Sequence, residues 1–264
     1  MNRLGVGDEV APPPCDECPV RRWPVFKPFA EEELGFVRGM WVARRTVAPE
    51  ADIVRTGEEG GPLYTLWSGW AYRYKLSGGD AAGRGPRQRQ ILNFLLPGDS
   101  IGLESALTGS IRHSVRALTE VTLCVHNPRT FPRVFTQCPD LSRALLETVL
   151  RDNRHADERL TMLGRKSALE RHAYFMLELH DRLAERGLVE KGGDGERCPF
   201  PLRRRHLSDL LGMSGTHVAR SLAELHASGL AEISGDTLII RDRARLSALS
   251  GYEPFNGWGR RAML

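Results

Sequence analysis

The sequence predicts an α+β chain: an N-terminal antiparallel β-roll (30–138), a long helix (139–164) and a C-terminal winged helix-turn-helix (165–245). Three observations predict it. Short β-prone runs separated by Gly, Pro and Asp turns fill residues 41–125. Apolar residues then recur every three or four positions from Pro139. Near the C-terminus two short helical segments break at Gly212 and lead into a two-run hairpin.

Size and composition bound the rest. The chain has 264 residues, enough for two domains, and is 41% hydrophobic and 27% charged, as globular proteins are. A net charge of only +4 makes the basic character local, around 203–205. That favours a specific DNA reader over a polycationic coat. No run approaches the ~18 apolar residues of a membrane span, and residues 1–14 lack the apolar core of a signal peptide. The expected location is therefore the cytoplasm, with no membrane partner. Five cysteines in a reducing compartment read as thiols or metal ligands before disulfides. There is no GxxxxGK[ST] loop, no His-Glu-x-x-His helix and no nucleophile–base set, so an enzyme is not expected.

In chain order, residues 1–29 form an arm: a disordered stretch ending in Pro12-Pro13-Pro14, then Cys15-Asp16-Glu17-Cys18. A short helix over 30–40 opens the roll. Strands are expected at Trp41–Val54, Leu63–Trp67, Trp70–Leu76, Gln88–Leu96 and Val115–Val125, with turns such as Ser77-Gly78-Gly79-Asp80 and Pro97-Gly98-Asp99. In the long helix, Leu141, Leu145, Val149, Asp152, Ala156, Leu160 and Leu163 mark a narrow stripe on an otherwise charged cylinder. That is the pattern of a seam, and a second copy of the chain is its expected partner. A further helix, Ser167–Arg186, ends at Gly187, residues 187–199 read as a surface loop, and 246–264 as a flexible tail.

The chemistry concentrates in Arg203-Arg204-Arg205 and Ser214–Leu225. Ser214 is an N-cap, and Val218, Leu222 and Leu225 make an apolar stripe. The other face carries Thr216, Ala219, Arg220 and Ala223, small enough to approach base edges closely. Arg220 supplies the forked cation that suits guanine O6 and N7. Arg203, Arg204, Arg205 and His217 suit phosphates, which position without specifying. After Gly229, Ala231-Glu232-Ile233 and Thr237-Leu238-Ile239-Ile240 flank a Gly235-Asp236 turn and form the wing. The expected partner is double-stranded DNA. The other class weighed is a ligand-binding module whose C-terminal domain contacts protein, which would show absent or salt-insensitive DNA retention.

The order roll, long helix, winged helix resembles the Crp/Fnr family of bacterial transcription regulators. Leu66-Trp67-Ser68-Gly69-Trp70, Leu96-Pro97-Gly98-Asp99-Ser100-Ile101-Gly102 and the helix-turn-helix carry the likeness, which covers nearly the whole chain. The run Gly212–Arg220 is most similar to an alphaproteobacterial, Fnr-like branch. The resemblance implies a jelly-roll-like, cyclic-nucleotide-binding-like sensory domain, a homodimer on a palindromic operator, contact with RNA polymerase, and Arg220 at the base-reading position. Thr216 stands where the family usually has glutamate, and Ala219 replaces another common contact, so the operator does not carry over.

For the signal, the resemblance implies one of two ligands. The oxygen-sensing branch holds an iron–sulfur cluster on four cysteines; Cys15, Cys18 and Cys124 match three, and Trp23-Pro24-Val25 occupies the region of the fourth. Cyclic-nucleotide members use a Gly-Glu cluster and an Arg-Ser pair, here Gly102, Glu104, Arg112 and Ser114. Glu104 is displaced by one position and Ile111 aligns with the phosphate-binding arginine, which ranks a redox signal above a cyclic nucleotide.

Overall fold

The computed structural model describes residues 15–78, 87–254 and 260–264. The expected arm at 1–14 and the Gly79-Asp80 half of one expected turn lie outside the described residues. Single-turn 3-10 helices at Cys15–Glu17 and Val20–Arg22 lead to α1 (Glu31–Met40). The roll follows as β1 (Trp41–Val47), β2 (Asp52–Val54), β3 (Leu63–Ser68), β4 (Ala71–Ser77), β5 (Gln88–Leu95), β6 (Ser100–Ile101), α2 (Leu103–Thr108), β7 (Ser114–Ala117) and β8 (Val121–His126). These strands form two antiparallel sheets, ordered β1-β8-β3-β6 and β2-β7-β4-β5.

Two runs expected as single strands each divide between the sheets. Residues 41–54 break into β1 and β2 at a turn where Glu50 has φ of +64°. Residues 115–125 break into β7 and β8 at Thr119, whose Oγ1 accepts the Trp70 N–H at 3.0 Å. Both corners let one β-prone stretch serve two sheets. Leu66, Val115, Ala117, Val121 and Leu123 pack between the sheets and are fully buried.

A short α3 (Val134–Gln137) precedes α4 (Pro139–Arg165), whose 27 residues span about 40 Å at 1.5 Å per residue. The stripe divides along α4. Leu141 and Leu145 are buried against the roll, whereas Val149 and Leu160 are exposed, as are Leu146 and Leu150, which the sequence reading left outside the stripe. Next comes α5 (Ala168–Ala184), held at its start by a reciprocal cap: the Ser167 N–H donates to Glu170 Oε2 at 2.6 Å, and Ser167 Oγ accepts the Glu170 N–H.

Residues 187–199 are not simply a loop. β9 (Glu190–Gly192) and β10 (Gly195–Pro199) form a hairpin, and β10 pairs with the wing. After α6 (Arg204–Leu211) and α7 (Gly215–Ala227), β11 (Ala231–Ser234) and β12 (Thr237–Ile240) complete a sheet ordered β11-β12-β10-β9. The hairpin escaped notice because Glu190–Gly192 offers no apolar alternation; the backbone ladder to β12 places it.

The expected tail is likewise corrected. α8 (Arg243–Ser250) is capped by Asp242 Oδ1, which accepts the Arg245 N–H at 2.9 Å, and buries Leu246. Ala262, Met263 and Leu264 are buried against the roll, and the Thr65 hydroxyl donates to Leu264 O at 2.6 Å. Local composition, polar and glycine-rich, hides these long-range contacts.

Aromatic side chains tie roll to DNA-reading unit. Phe94 of β5 packs on Phe175 of α5 (centroids 5.8 Å), which packs on Phe200 (6.4 Å). All three are buried, each stabilising the fold by roughly 2–3 kcal/mol. Beside them Asp99 accepts from Arg186 at 2.8 Å and Arg182 at 3.2 Å, lies 3.3 Å from Arg261, and takes the Leu96 N–H at 2.9 Å. Burial alone would raise the Asp99 pKa, but the three guanidiniums overcome it and hold the carboxyl at about 2. Neighbouring Gly98 has φ of +93°, and a methyl group there would overlap the Phe26 ring.

Candidate nucleic-acid interface and sensory sites

The helix-turn-helix is built as the sequence implies. Gly212, at φ of +62°, ends α6, and Ser214 Oγ accepts the His217 N–H at 3.4 Å to start α7. Val218 and Leu225 face the core. Between them Ser221 is buried and donates to His217 O at 3.0 Å, while Leu222 is only half-buried. The opposite face presents Thr216, His217, Arg220 and Ala223 to solvent, with Ala219 half-buried among them. Among the described residues Arg220 has no ion pair or hydrogen bond, and neither do the side chains of Arg203 and Arg204.

The three consecutive arginines are not equivalent. The Arg204 stem lies against Gly215 at the start of α7. The Arg203 N–H donates to His206 Nδ1 at 3.0 Å, an acceptor made possible because burial, then Arg205, lowers the His206 pKa to about 4. Arg205, expected on phosphates, is held instead by Glu50 of the roll, Nη2 to Oε1 at 2.7 Å. The sequence could not place Glu50 opposite it.

Further bonds seat α6 on β5. Arg89 Nε donates to Asp209 Oδ2 at 2.7 Å, and Gln90 Nε2 donates to Leu210 O at 3.0 Å. The reading head is thereby docked on the sensory sheet.

A cavity of about 700 Å³ lies between the roll and α4. Gly102, Glu104 and Arg112, three of the four residues expected at a nucleotide, line it. Glu104 Oε2 accepts the Arg112 N–H at 3.2 Å and lies 3.2 Å from His113 Nδ1. Burial, then Arg73, lowers the His113 pKa to about 4. Ser114, the fourth, is a correction. Its Oγ accepts the Thr56 N–H at 3.0 Å and does not line the cavity, because on β7 it points to the other face. Ile111 is buried in the apolar core. Among the polar lining residues that escaped the sequence reading are Arg73 on β4, Asn93 on β5 and Arg159 on α4.

Cys15, Cys18 and Cys124 line one small cavity, together with His126. Burial and the neighbouring thiols raise the Cys124 pKa to about 11, and burial lowers that of His126 to about 4. A cluster requires thiolates converging on one centre. Among the described residues no group of three His, Cys, Asp or Glu side chains is placed to hold a metal ion. The arrangement therefore does not fit a bound metal, although it brings Cys124 of β8 to the sequence-adjacent pair Cys15 and Cys18.

Comparison with known proteins agrees with this architecture. A cyclic nucleotide-binding domain model matches residues 44–138, and a Crp-like helix-turn-helix domain model matches 170–249. The chain is 30% identical to the nitrogen fixation regulation protein FixK of Bradyrhizobium diazoefficiens over 241 residues, 89% of this chain and 93% of that one. It is 27% identical to the transcriptional activator protein FnrL of Cereibacter sphaeroides, over 92% of this chain and 94% of that one. The solved structure of FixK2 from Bradyrhizobium japonicum superposes with a TM-score of 0.67 at 28% identity, covering 80% of this chain and 98% of that one. Among the described residues no helix is long and apolar enough to cross a membrane. With the roll, the long helix and the winged reading head in the same order as in these relatives, the chain belongs to the Crp/Fnr family of DNA-binding transcription regulators, and it is not an enzyme.

Proposed function

We propose that this regulator works in the cytoplasm as a homodimer on a two-fold-related operator, with Arg220 reading a base and Arg203, Arg204 and His217 contacting phosphates. One observation carries this reading. The Ser214-capped helix turns Thr216, Arg220 and Ala223 outward, and the Arg220 guanidinium has no partner among the described residues. A cation left unpaired beside small side chains suits a major groove. The exposed Leu146, Val149, Leu150 and Leu160 of α4 are the seam for the second copy, which would set two reading helices about 34 Å apart. RNA polymerase would be met by the DNA-bound dimer.

Selection from a randomised duplex pool, followed by titration at several salt concentrations, tests the reading. Arg220→Ala should relax preference at one base pair in each half-site, at a cost of about 1–3 kcal/mol. Arg204→Ala should weaken all sequences alike and reduce the salt slope by about one. Equal losses on every sequence for both variants would remove Arg220 from base reading. No preference for any oligonucleotide would favour the protein-contacting alternative.

For the signal, a redox input is supported by the three cysteines at one cavity, and a cyclic nucleotide is disfavoured by Ile111 and by the orientation of Ser114. Iron and sulfide analysis of anaerobically purified protein separates the versions of the redox reading. Colourless, iron-free protein eliminates a cluster and leaves only thiol chemistry.

A further inference from the structure

Glu50 meets Arg205 at the edge where the reading head rests on the roll. Among the described residues Glu50 is the only non-glycine with positive φ, +64°, a conformation unfavourable for a side chain. The roll holds it there. The Glu50 N–H donates to Ala117 O at 2.9 Å, and the Ala117 N–H donates to Ala51 O at 3.0 Å. A strained residue fixed on both sides, with its carboxylate on a cation of the other domain, is a positioned charge.

Arg205 is arranged to depend on that carboxylate. One turn along α6, Asp209 has the spacing to pair with it, but Asp209 Oδ2 is taken by Arg89 of β5 at 2.7 Å. His206, buried against the Tyr72 ring, accepts the Arg203 N–H at Nδ1, so the neutral ring carries its proton on Nε2. Arg205 Nε, 3.1 Å from that nitrogen, therefore finds no acceptor there. Among the described residues the ion-pair partner of Arg205 is Glu50, at 2.7 Å.

Arg205 continues a basic run that borders the reading helix, since the Arg204 stem lies against Gly215 at the start of α7. The Arg205 side chain is 56% exposed and that of Glu50 42%. An ion pair this open to water stabilises a fold little, which suits a contact that can be exchanged for another anion.

We propose that Glu50 is an internal stand-in for a DNA phosphate. The roll withholds Arg205 from the duplex while α6 is docked on β5, and parting of the two releases it as a further phosphate contact. The sensory domain thereby lowers affinity for every sequence without touching the base-reading Arg220. The proposal rests on the reading that this end of α6 faces the DNA backbone, and Arg204→Ala tests that reading separately.

The test is fluorescence-anisotropy titration of the full chain with a duplex taken from the selection above and a scrambled duplex of equal length, at several salt concentrations. Glu50→Gln should tighten both duplexes alike, by about threefold or more at low salt, and steepen the salt slope by about one for each chain bound. Glu50→Asn, better suited to positive φ, should do the same. Arg205→Gln alone should leave affinity nearly unchanged, because the side chain is already withheld, and should abolish the gain when combined with Glu50→Gln. The proposal is overturned if neither Glu50 variant gains affinity or if the gain is confined to one duplex. A gain that persists in the Glu50→Gln, Arg205→Gln double variant also overturns it, by reducing Glu50 to a charge that repels DNA. So does a loss in Arg205→Gln equal to that in Arg204→Ala, which would put Arg205 on a phosphate already. If Arg204→Ala weakens both duplexes while the Glu50 variants gain nothing, the phosphate reading stands and the proposal falls. If Arg204→Ala changes nothing while the gain through Arg205 is seen, the proposal stands and the backbone contact passes from Arg204 to Arg205.

Discussion

Arg89 of the roll and Asp209 of the first reading helix share a 2.7 Å hydrogen-bonded ion pair, the direct charge contact between β5 and α6. Arg89 also donates to the Tyr72 hydroxyl at 2.7 Å, so its geometry is fixed before Asp209 is met. Because both side chains are part-exposed, the pair contributes little to global stability, about 1 kcal/mol or less. Its effect is local. Asp209→Asn should leave the denaturation midpoint nearly unchanged while hydrogen exchange across 204–211 accelerates. Unchanged exchange in that segment would show that Gln90 and the aromatic core suffice to dock α6.

Acid should act in two windows. In the first, burial holds His113, His126, His155 and His206 near pKa 4, below the ordinary 6.5. The unfolded chain therefore takes up protons first. Stability from these groups is present above about pH 6.5 and is lost as pH falls toward 4, at about 1.4 kcal/mol per pH unit for each proton by which the states differ. In the second window Asp99, held at about 2 against an ordinary 3.8, contributes stability above about pH 4 that is lost below it. Urea midpoints measured from pH 8 to 3 check this; a flat profile between 6.5 and 4 would contradict the buried imidazoles. Asp99→Asn leaves three guanidiniums around a neutral amide and should cost about 3–5 kcal/mol.

The thiols give a kinetic prediction. Burial raises Cys198 to about 12 and, with its neighbouring thiols, Cys124 to about 11. Thiolate is the reacting form, so at pH 8 N-ethylmaleimide should label both far more slowly in folded than in urea-unfolded protein. Mass spectrometry of peptides after timed quenching reads the rates. Fast labelling of Cys198 in native protein would mean that β10 opens readily from β12.

The reading head was legible because its signals are local. Ser214, Gly212 and the Val218–Leu225 spacing lie within one short segment, and the wing turn at Gly235-Asp236 follows directly. The sensory side was less so. A lone arginine on a strand reads as solvent-facing, and only closure by α4 turns Arg73 into a cavity wall. Arg205 became a roll contact because folding brought Glu50 to it, and Ser114 faces Thr56 because alternation along β7 directs it away from the cavity. Cys15 and Cys18 form a local pattern, but Cys124 could be grouped with them only by resemblance, because the fold alone brings it there. The α8 helix and the C-terminal segment are stabilised by distant partners, including Asp181, which accepts from Tyr252 Oη at 2.8 Å.

The exposed side of α4 makes the assembly testable. Leu146, Val149, Leu150 and Leu160 recur along one helix, and Leu160 is 70% exposed in the single chain. Such a stripe costs solvation free energy unless covered, and on a helix of 27 residues its periodicity matches a two-stranded seam. Leu150→Lys with Leu160→Lys should shift sedimentation from dimer to monomer. Binding to a two-half-site duplex should fall by orders of magnitude, while affinity for a single half-site should hold. Because neither side chain is buried in the monomer, its thermal stability should change little, within about 0.5 kcal/mol for each site. A double variant that still sediments as a dimer would place the interface elsewhere and leave the exposed leucines unexplained.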